Sequence, residues 1–457
     1  MQRQPRVSLR GAAIPLLVLA LVVALLGGPS RGAGASSQNT LVPYMGVYSV
    51  SVNAFGCASA GNCLAIGAYD FGTGVFIVYA VETQGRWGNF SPFPNLNTVS
   101  PVAGPVEVVC YRASSCTVLL GWMTPGNTIE TFVATESAGR WTPPVRLRAP
   151  GEADTLGQAL WCSPEGQCAA VATSMNARAT FAHLYVSQES AGGWSQPHGI
   201  LPAVLVNPTA GTVVFSCSQP NHCVLAALAL RPLGVIAPSI VALDTGGPWG
   251  LARRGGASAK GELAVNSVSC SEGGGCVLGG AIMKGTGCSF SRPCANSAVL
   301  LAQSGTSGKL QQIDVARYWR GGSSSPAPSS VSSVACTGHD GCYLLVTSPH
   351  APRVTLVQWA AGGLSPVAFP HGSPFTLACA NSASTCAVVT LKARQDWLYS
   401  LGSGRWSSVA SWVNPRHDPY ANLVFSSCSG SQGCALLDAQ PGVGNASGPG
   451  SYVQYHT

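Results

Sequence analysis

Ser267-Val268-Ser269-Cys270-Ser271-Glu272-Gly273-Gly274-Gly275-Cys276-Val277-Leu278-Gly279-Gly280 is an alternating run, a cysteine, five turn-forming residues, a second cysteine and another apolar run. Two short strands joined by a tight loop place residues i and i+6 opposite each other on one face. Opposed residues of a non-hydrogen-bonded antiparallel pair approach closely enough for a disulfide. The stretch therefore reads as a stapled β-hairpin. The same pattern recurs with Cys57 and Cys63, Cys110 and Cys116, Cys162 and Cys168, and Cys217 and Cys223. It returns with Cys336 and Cys342, Cys379 and Cys386, and Cys428 and Cys434. Five residues separate the cysteines in seven of these eight units, and six separate Cys379 from Cys386. The loops carry turn chemistry, as in Ser163-Pro164-Glu165-Gly166-Gln167 and Thr337-Gly338-His339-Asp340-Gly341. Their flanks are short apolar runs, such as Glu107-Val108-Val109 and Thr117-Val118-Leu119-Leu120, that read as buried strands. Each bridge is expected to contribute roughly 2 kcal/mol through chain entropy.

Zinc is the competing use of paired cysteines. The spacing is longer than that of zinc motifs and no regular histidine partner accompanies it, so disulfides are the expectation. All 18 cysteines, an even number, follow a leader-like segment. Residues 1–35 carry Arg3, Arg6 and Arg10, an apolar core from Ala12 to Leu26, and Ala33-Gly34-Ala35 as a small-x-small cleavage site. That is the form of a secretory signal, with an uncleaved N-terminal membrane anchor as the alternative. The expected destination is secreted or extracellular. Four of the 24 basic residues lie in this segment, which leaves 20 against 17 acids, or about +3. Such a balance does not suggest a nucleic-acid partner.

From Gln38 onward the repeat takes over. The first cysteines are 53, 52, 55, 53, 66, 43 and 49 residues apart. A second landmark keeps pace: Gly85-Arg86-Trp87, Gly139-Arg140-Trp141, Gly193-Trp194, Pro248-Trp249 and Gly404-Arg405-Trp406, with Leu310 and Leu364 in the Trp place of units five and six. Each unit then holds two cysteine strands, a third strand such as Ile129 to Thr135, a Gly turn and a Trp strand. Four strands in about 50 residues is the period of a β-propeller blade. The expectation is an all-β, eight-bladed propeller of four-stranded antiparallel blades spanning 36–457, with seven blades as the alternative if unit six is decorative. An insertion at 284–296 carries its own expected disulfide, between Cys288 and Cys294, and 321–330 is a low-complexity loop. The last unit lacks a Trp strand, and Leu41 to Met45 near the mature N-terminus is expected to complete it.

Together these units resemble secreted bacterial β-propellers whose blades read Ser-Val-x-Cys, short turn, Cys-x-Ala-Val-Gly, then Gly-x-Trp. The Gly-to-Trp corner also resembles a worn Asp-box of BNR or sialidase-like propellers. Ser137 holds the Asp place in Glu136-Ser137-Ala138-Gly139-Arg140-Trp141, and Asp244 matches loosely. The resemblance implies a scaffold; an Asp-box is a folding corner and carries no enzyme assignment.

In a propeller, the links from second to third strand and from Trp strand to the next cysteine strand share one face. That face is the expected ligand side. Its candidate binding residues are Trp122, Arg178, Arg253, Arg317, Trp319, Arg353, Arg394 and Arg416. Converging Arg would favour an anionic ligand, and Trp122 and Trp319 offer stacking surfaces for a sugar. Loop Arg serving only as solubilising residues is the plainer reading. A glycosidase needs two carboxylates at a defined separation. Asp70, Asp154, Glu262, Asp396 and Asp418 are candidates, but nothing in the sequence pairs them, so no catalytic residue is assigned. The eight histidines are scattered, and nothing calls for a metal or cofactor. The expectation is a monomeric, non-catalytic scaffold that binds an extracellular protein, glycan or other anionic ligand. A sialidase-like carbohydrate hydrolase or lyase is the alternative.

Overall fold

A computed structural model describes residues between 40 and 456, leaving out 1–39, 42–49, 60, 71–74, 95–106, 113–114, 125, 127, 149–151, 153, 176–181, 191–192, 201–212, 231–235, 252, 256–261, 272–274, 285–294, 304–308, 320–327, 338–340, 349–350, 361–362, 381–384, 393–394, 403, 414–422, 429–433, 440–451 and 457. Seven four-stranded antiparallel blades follow one another in sequence, the count of the alternative. Their inner strands are Val50–Ser59, Glu107–Arg112, Asp154–Cys162, Val213–Gln219, Glu262–Cys270, Ser330–Thr337 and Ser373–Cys379. The reason differs from the one expected, because unit six is a full blade and not a decoration. The eighth sheet is instead a composite: Leu423–Cys428, Cys434–Ala439 and Tyr452–His456 come from the C-terminal end, and Thr40–Leu41 from the N-terminal end. Thr40 pairs with Gln454 and Leu41 with Val453, so both ends of the chain share one sheet. That sheet packs against the inner strands of blades one and seven, which closes the ring. The closing strand begins one residue earlier than the sequence suggested, and 42–49 lie outside the described residues.

In all eight sheets the cysteines of a hairpin stand directly opposite each other and are bridged. Cys57 is joined to Cys63, Cys110 to Cys116, Cys162 to Cys168 and Cys217 to Cys223. Cys270 is joined to Cys276, Cys336 to Cys342, Cys379 to Cys386 and Cys428 to Cys434. Their Cα–Cα distances are 3.9–4.0 Å. The longer loop between Cys379 and Cys386 does not disturb the opposition, since Cys379 pairs with Cys386 in register. The ninth expected bridge is not seen, because Cys288 and Cys294 both lie outside the described residues. Lys284 ends a second strand and Ala295 begins a third, so the insertion that carries Cys288 and Cys294 occupies the expected link. Among the described residues no helix is long and apolar enough to cross a membrane. The stapled hairpins fit an oxidising compartment.

Because every strand alternates its side chains, each sheet has two apolar faces and buries both against its neighbours. The core is therefore divided among the blade interfaces. Between blades five and six, for example, Leu300, Val331, Leu344, Val357 and Leu364 are fully buried. Gly279 belongs to that contact: a Cβ there would come within 2.5 Å of Val331 and Val334. Leu310 and Leu364 occupy the Trp register, opposite Gln303 and Trp359 as Trp141 is opposite Glu136. Trp141 itself packs on Tyr79 and Phe93 of blade one, at ring distances of 5.1 and 4.5 Å.

Two features differ from the four-strand pattern. In blades one to three the Trp strand is broken into two short pieces, Arg86–Trp87 and Ser91–Pro92 in the first. Gly88, Pro143-Pro144 and Pro197 fall at or beside the breaks, where ladder geometry is hard to hold. Blade five gains a fifth, outermost strand, Arg253–Gly255, parallel to Lys309–Asp314.

Candidate functional site

The Cys turns and the Gly corners meet on one face of the ring. Gly85 N donates to Gly61 O at 2.9 Å, and Gly246 N donates to Asn221 O at 2.7 Å, so corner and turn clasp each other. An acid recurs one residue before the Asp-box place of these corners. The sequence shows it as Glu82-Thr83-Gln84-Gly85-Arg86-Trp87, Glu136-Ser137-Ala138-Gly139-Arg140-Trp141, Glu189-Ser190-Ala191-Gly192-Gly193-Trp194 and Asp244-Thr245-Gly246-Gly247-Pro248-Trp249. Each acid lies on the third strand, beside the second cysteine of its hairpin; Cys116 faces Glu136 and Cys223 faces Asp244. Glu136 Oε1 accepts from Gly139 N at 2.5 Å, and Asp244 Oδ1 accepts from Gly246 N at 3.1 Å. Both glycines have φ above +80°, the left-handed region, and the carboxylate secures that turn. Burial pushes the carboxyls of Glu136, Glu189 and Asp244 above the usual range; the Gly N–H groups pull Glu136 and Asp244 partway back. The periodic acid is legible in the sequence, one place before the position where an Asp-box would carry its own acid and this chain carries Ser137.

Two cavities bounded by described residues open on this hairpin face, each between two blades. The first, about 810 Å³, lies between blades one and two and is lined by Asn62, Glu82, Arg86, Trp87 and Glu136 among others. The second, about 410 Å³, lies between blades three and four. Gln167, Gln188, Glu189, Ser190, Gln219, Asn221 and His222 supply its polar lining. The bridged Cys168 also lines it, so one staple forms part of the wall.

The expected ligand side is the opposite one, and its candidates divide. Trp122 is 4% exposed inside the apolar cluster between blades one and two, so its ring is taken up by packing rather than offered to a sugar. Arg317 is exposed on the one-turn helix Val315–Tyr318, with its guanidinium 6.0 Å from the Tyr318 ring. Trp319 packs on the cluster between blades five and six, which fixes it as a structural anchor. Arg253 stands on the outermost strand of blade five, away from the ring's inner strands. Arg353 lies in the third strand of blade six, and its side chain is outside the description. Arg178, Arg394 and Arg416 lie outside the described residues. Asp154, one of the acid candidates, accepts from Ile129 N at 2.8 Å and ties blade three to blade two.

One further acid escapes the sequence reading. Glu107, on the inner strand of blade two, accepts from Leu160 N of blade three at 2.5 Å. Burial pushes its carboxyl up to about 7, against the smaller opposing effect of that hydrogen bond. Ser267 has the same place in blade five, and its Oγ accepts from Val334 N at 3.0 Å. A hydroxyl and a carboxylate thus serve one role, lacing neighbouring inner strands. Among the described residues no three His, Cys, Asp or Glu side chains are placed to hold a metal.

No family model matches the chain, and no curated protein does. Solved structures with this architecture do. Sqt1 of Chaetomium thermophilum, solved bound to the N-terminus of ribosomal protein L10, is similar at 10% identity and a TM-score of 0.51, over 88% of this chain and 97% of that one. The BP39L lectin of Burkholderia pseudomallei matches at 14% identity and a TM-score of 0.46, over 80% of this chain and 99% of that one. A polysaccharide lyase, Uly1, matches at 10% identity and a TM-score of 0.44, over 93% of this chain and 91% of that one. At such identity the likeness extends to the β-propeller fold and no further.

Proposed function

We propose that the chain is a secreted, non-catalytic β-propeller scaffold that binds an extracellular glycan or protein ligand on its hairpin face. The observation that carries this reading is the pair of cavities, with polar groups in their linings, between neighbouring blades on that face. Grooves between rigid, stapled blades are preorganised, so a ligand there orders few side chains. The Arg-lined anion site on the opposite face stands behind it, since its described members Trp122 and Trp319 are committed to packing. Arg317 remains an exposed cation there.

One observation favours a second reading, a carbohydrate-active hydrolase or lyase: Glu82, Glu136 and Arg86 line the same cavity. Against it, Glu136 is engaged in closing its own corner, and Glu82 stands in the equivalent place of blade one. The test is a printed array of neutral and anionic glycans probed with the oxidised chain lacking 1–35, followed by product analysis of every retained glycan. Retention without cleavage is the expected result. Turnover that Glu136→Gln abolishes in a folded variant would replace the scaffold with the enzyme.

A further inference from the structure

We propose that the groove between blades three and four is a binding site for a neutral saccharide, gripped through adjacent hydroxyls by Glu189 and His222. The inference rests on the scaffold reading above and names a ligand class for one of its grooves. The cavity, about 410 Å³, is of the size of small-molecule sites, roughly 300–1,000 Å³. Glu189 is the penultimate residue of the third strand of blade three and His222 begins the second strand of blade four, so the two blades each supply one group. Glu189 Oε2 and His222 Nδ1 are both buried, and neither makes a hydrogen bond among the described residues. Buried polar atoms of this kind are costly unless a partner satisfies them, and a ligand that does so gains by it.

The surrounding frame is fixed. Gln188 Nε2 donates across the blade boundary to Pro220 O at 3.2 Å. The backbone N of Gln188 donates to Ser195 Oγ at 3.0 Å, and Gly246 N holds the Asn221 carbonyl at 2.7 Å. These bonds set the width of the groove before any ligand arrives.

The donor set selects the ligand. Among the described residues no Lys or Arg lines the groove, so an anion would find no fixed countercharge. Glu189 is the single carboxyl among the described lining residues, so a cation would find no second carboxyl to share it, and burial raises the cost of its charged form. What remains are amides, hydroxyls, an imidazole and a carboxyl. The carboxyl accepts, and the amides, hydroxyls and imidazole both donate and accept. A sugar hydroxyl does the same, and adjacent hydroxyls present both capacities at a spacing that a carboxyl or an amide spans. The first groove differs in carrying Arg86 and Trp87, so the two grooves would not share one ligand.

The test uses the oxidised chain lacking 1–35, with neutral hexose and deoxyhexose glycosides printed as an array and the best-retained one titrated in solution. Glu189→Ala and His222→Ala should each weaken retention at least tenfold, with Arg317→Ala unchanged as a control on the opposite face. The unmodified protein gives a second readout that needs no variant: the His222 ring resonances should shift on titration, while those of His371, stacked on Trp397, stay still. Retention that survives both variants, with no His222 shift, overturns the groove assignment and leaves the scaffold reading standing. Retention of anionic glycans only would overturn the neutral-saccharide class. Retention of no glycan of any kind overturns this proposal, and with it the glycan form of the scaffold reading.

Discussion

Blades one to four and blades five to seven share a fold but differ at one recurring position. Opposite the Trp register the first four carry Glu82, Glu136, Glu189 and Asp244. The next three carry Gln303, Trp359 and Leu401, which face Cys276, Cys342 and Cys386 across the sheet. In the first set Glu136 and Asp244 secure their Gly corners by hydrogen bonds, and both grooves open beside this set. In the second set the position is uncharged. The Trp359 ring lies against the cluster between blades five and six, and Leu401 lies in the cluster between blades six and seven. At this one position, then, the ring is acidic in blades one to four and uncharged in blades five to seven. A corner can be closed by a hydrogen-bonded acid or by packing alone. Among the described residues, the two cavities open beside the acid-bearing corners.

The largest expected effect lies in blades five to seven. Leu344→Ala empties a fully buried site between blades five and six and should cost about 2–5 kcal/mol, read from chemical denaturation. A loss below about 1 kcal/mol would mean that these blades are loosely packed and the contrast is drawn wrongly.

Next comes pH. The folded carboxyl of Glu107 is raised to about 7, above its unfolded value, so the folded state holds a proton that the unfolded state releases. Its contribution is fully present below about pH 4.5 and is lost as pH rises through about 7. Allowing for partial exposure, the loss is roughly 1–3 kcal/mol. Glu136, Glu189 and Asp244 are raised too and act in the same direction. Thermal unfolding should show greater stability at pH 5 than at pH 8. Glu107→Gln should flatten much of that slope, and an unchanged slope would remove Glu107 from the account.

Removing one staple, Cys270→Ser with Cys276→Ser, should cost about 2 kcal/mol. The same change at Cys110 and Cys116 should cost a similar amount, since staples do not distinguish the two sets of blades. A large asymmetry would show that the acid corners and the bridges support each other. Smallest is the corner itself. Glu136→Ala should cost about 0.5–2 kcal/mol by freeing Gly139 N, and Leu401→Ala should cost more, because it opens a cavity instead.

Much of this architecture could be read from the chain. The hairpin staple follows from the spacing of Cys270 and Cys276, and the Leu310 and Leu364 substitutions follow from a period that the rest of the repeat fixes. Closure by both ends was legible because the last unit lacks a strand that the N-terminal end supplies. What stayed hidden depends on contacts between blades. Trp122 looks like a loop aromatic until the neighbouring sheet covers it. Glu107 reads in the sequence only as part of a buried cysteine strand, and its role shows when the Leu160 amide of the next blade reaches it. The inner strands also carry recurrent bulges, between Val265 and Ser267 and between Val331 and Ser333, which no local pattern announces. The two grooves bounded by described residues lie on the hairpin face, while many links of the expected ligand side lie outside the described residues. Both grooves are enclosed by turns and corners of adjacent blades, which no single blade's sequence pattern joins.

Hydrogen exchange of the oxidised chain, followed by mass spectrometry at pH 5 and pH 8 and corrected for intrinsic rates, tests the central contrast most directly. The corner and hairpin segments of blades one to four should lose protection on going to pH 8, while the corresponding segments of blades five to seven should hold theirs. Equal loss around the ring, or loss confined to blades five to seven, would contradict corners that carry Glu82, Glu136, Glu189 and Asp244 in blades one to four and pack uncharged in blades five to seven.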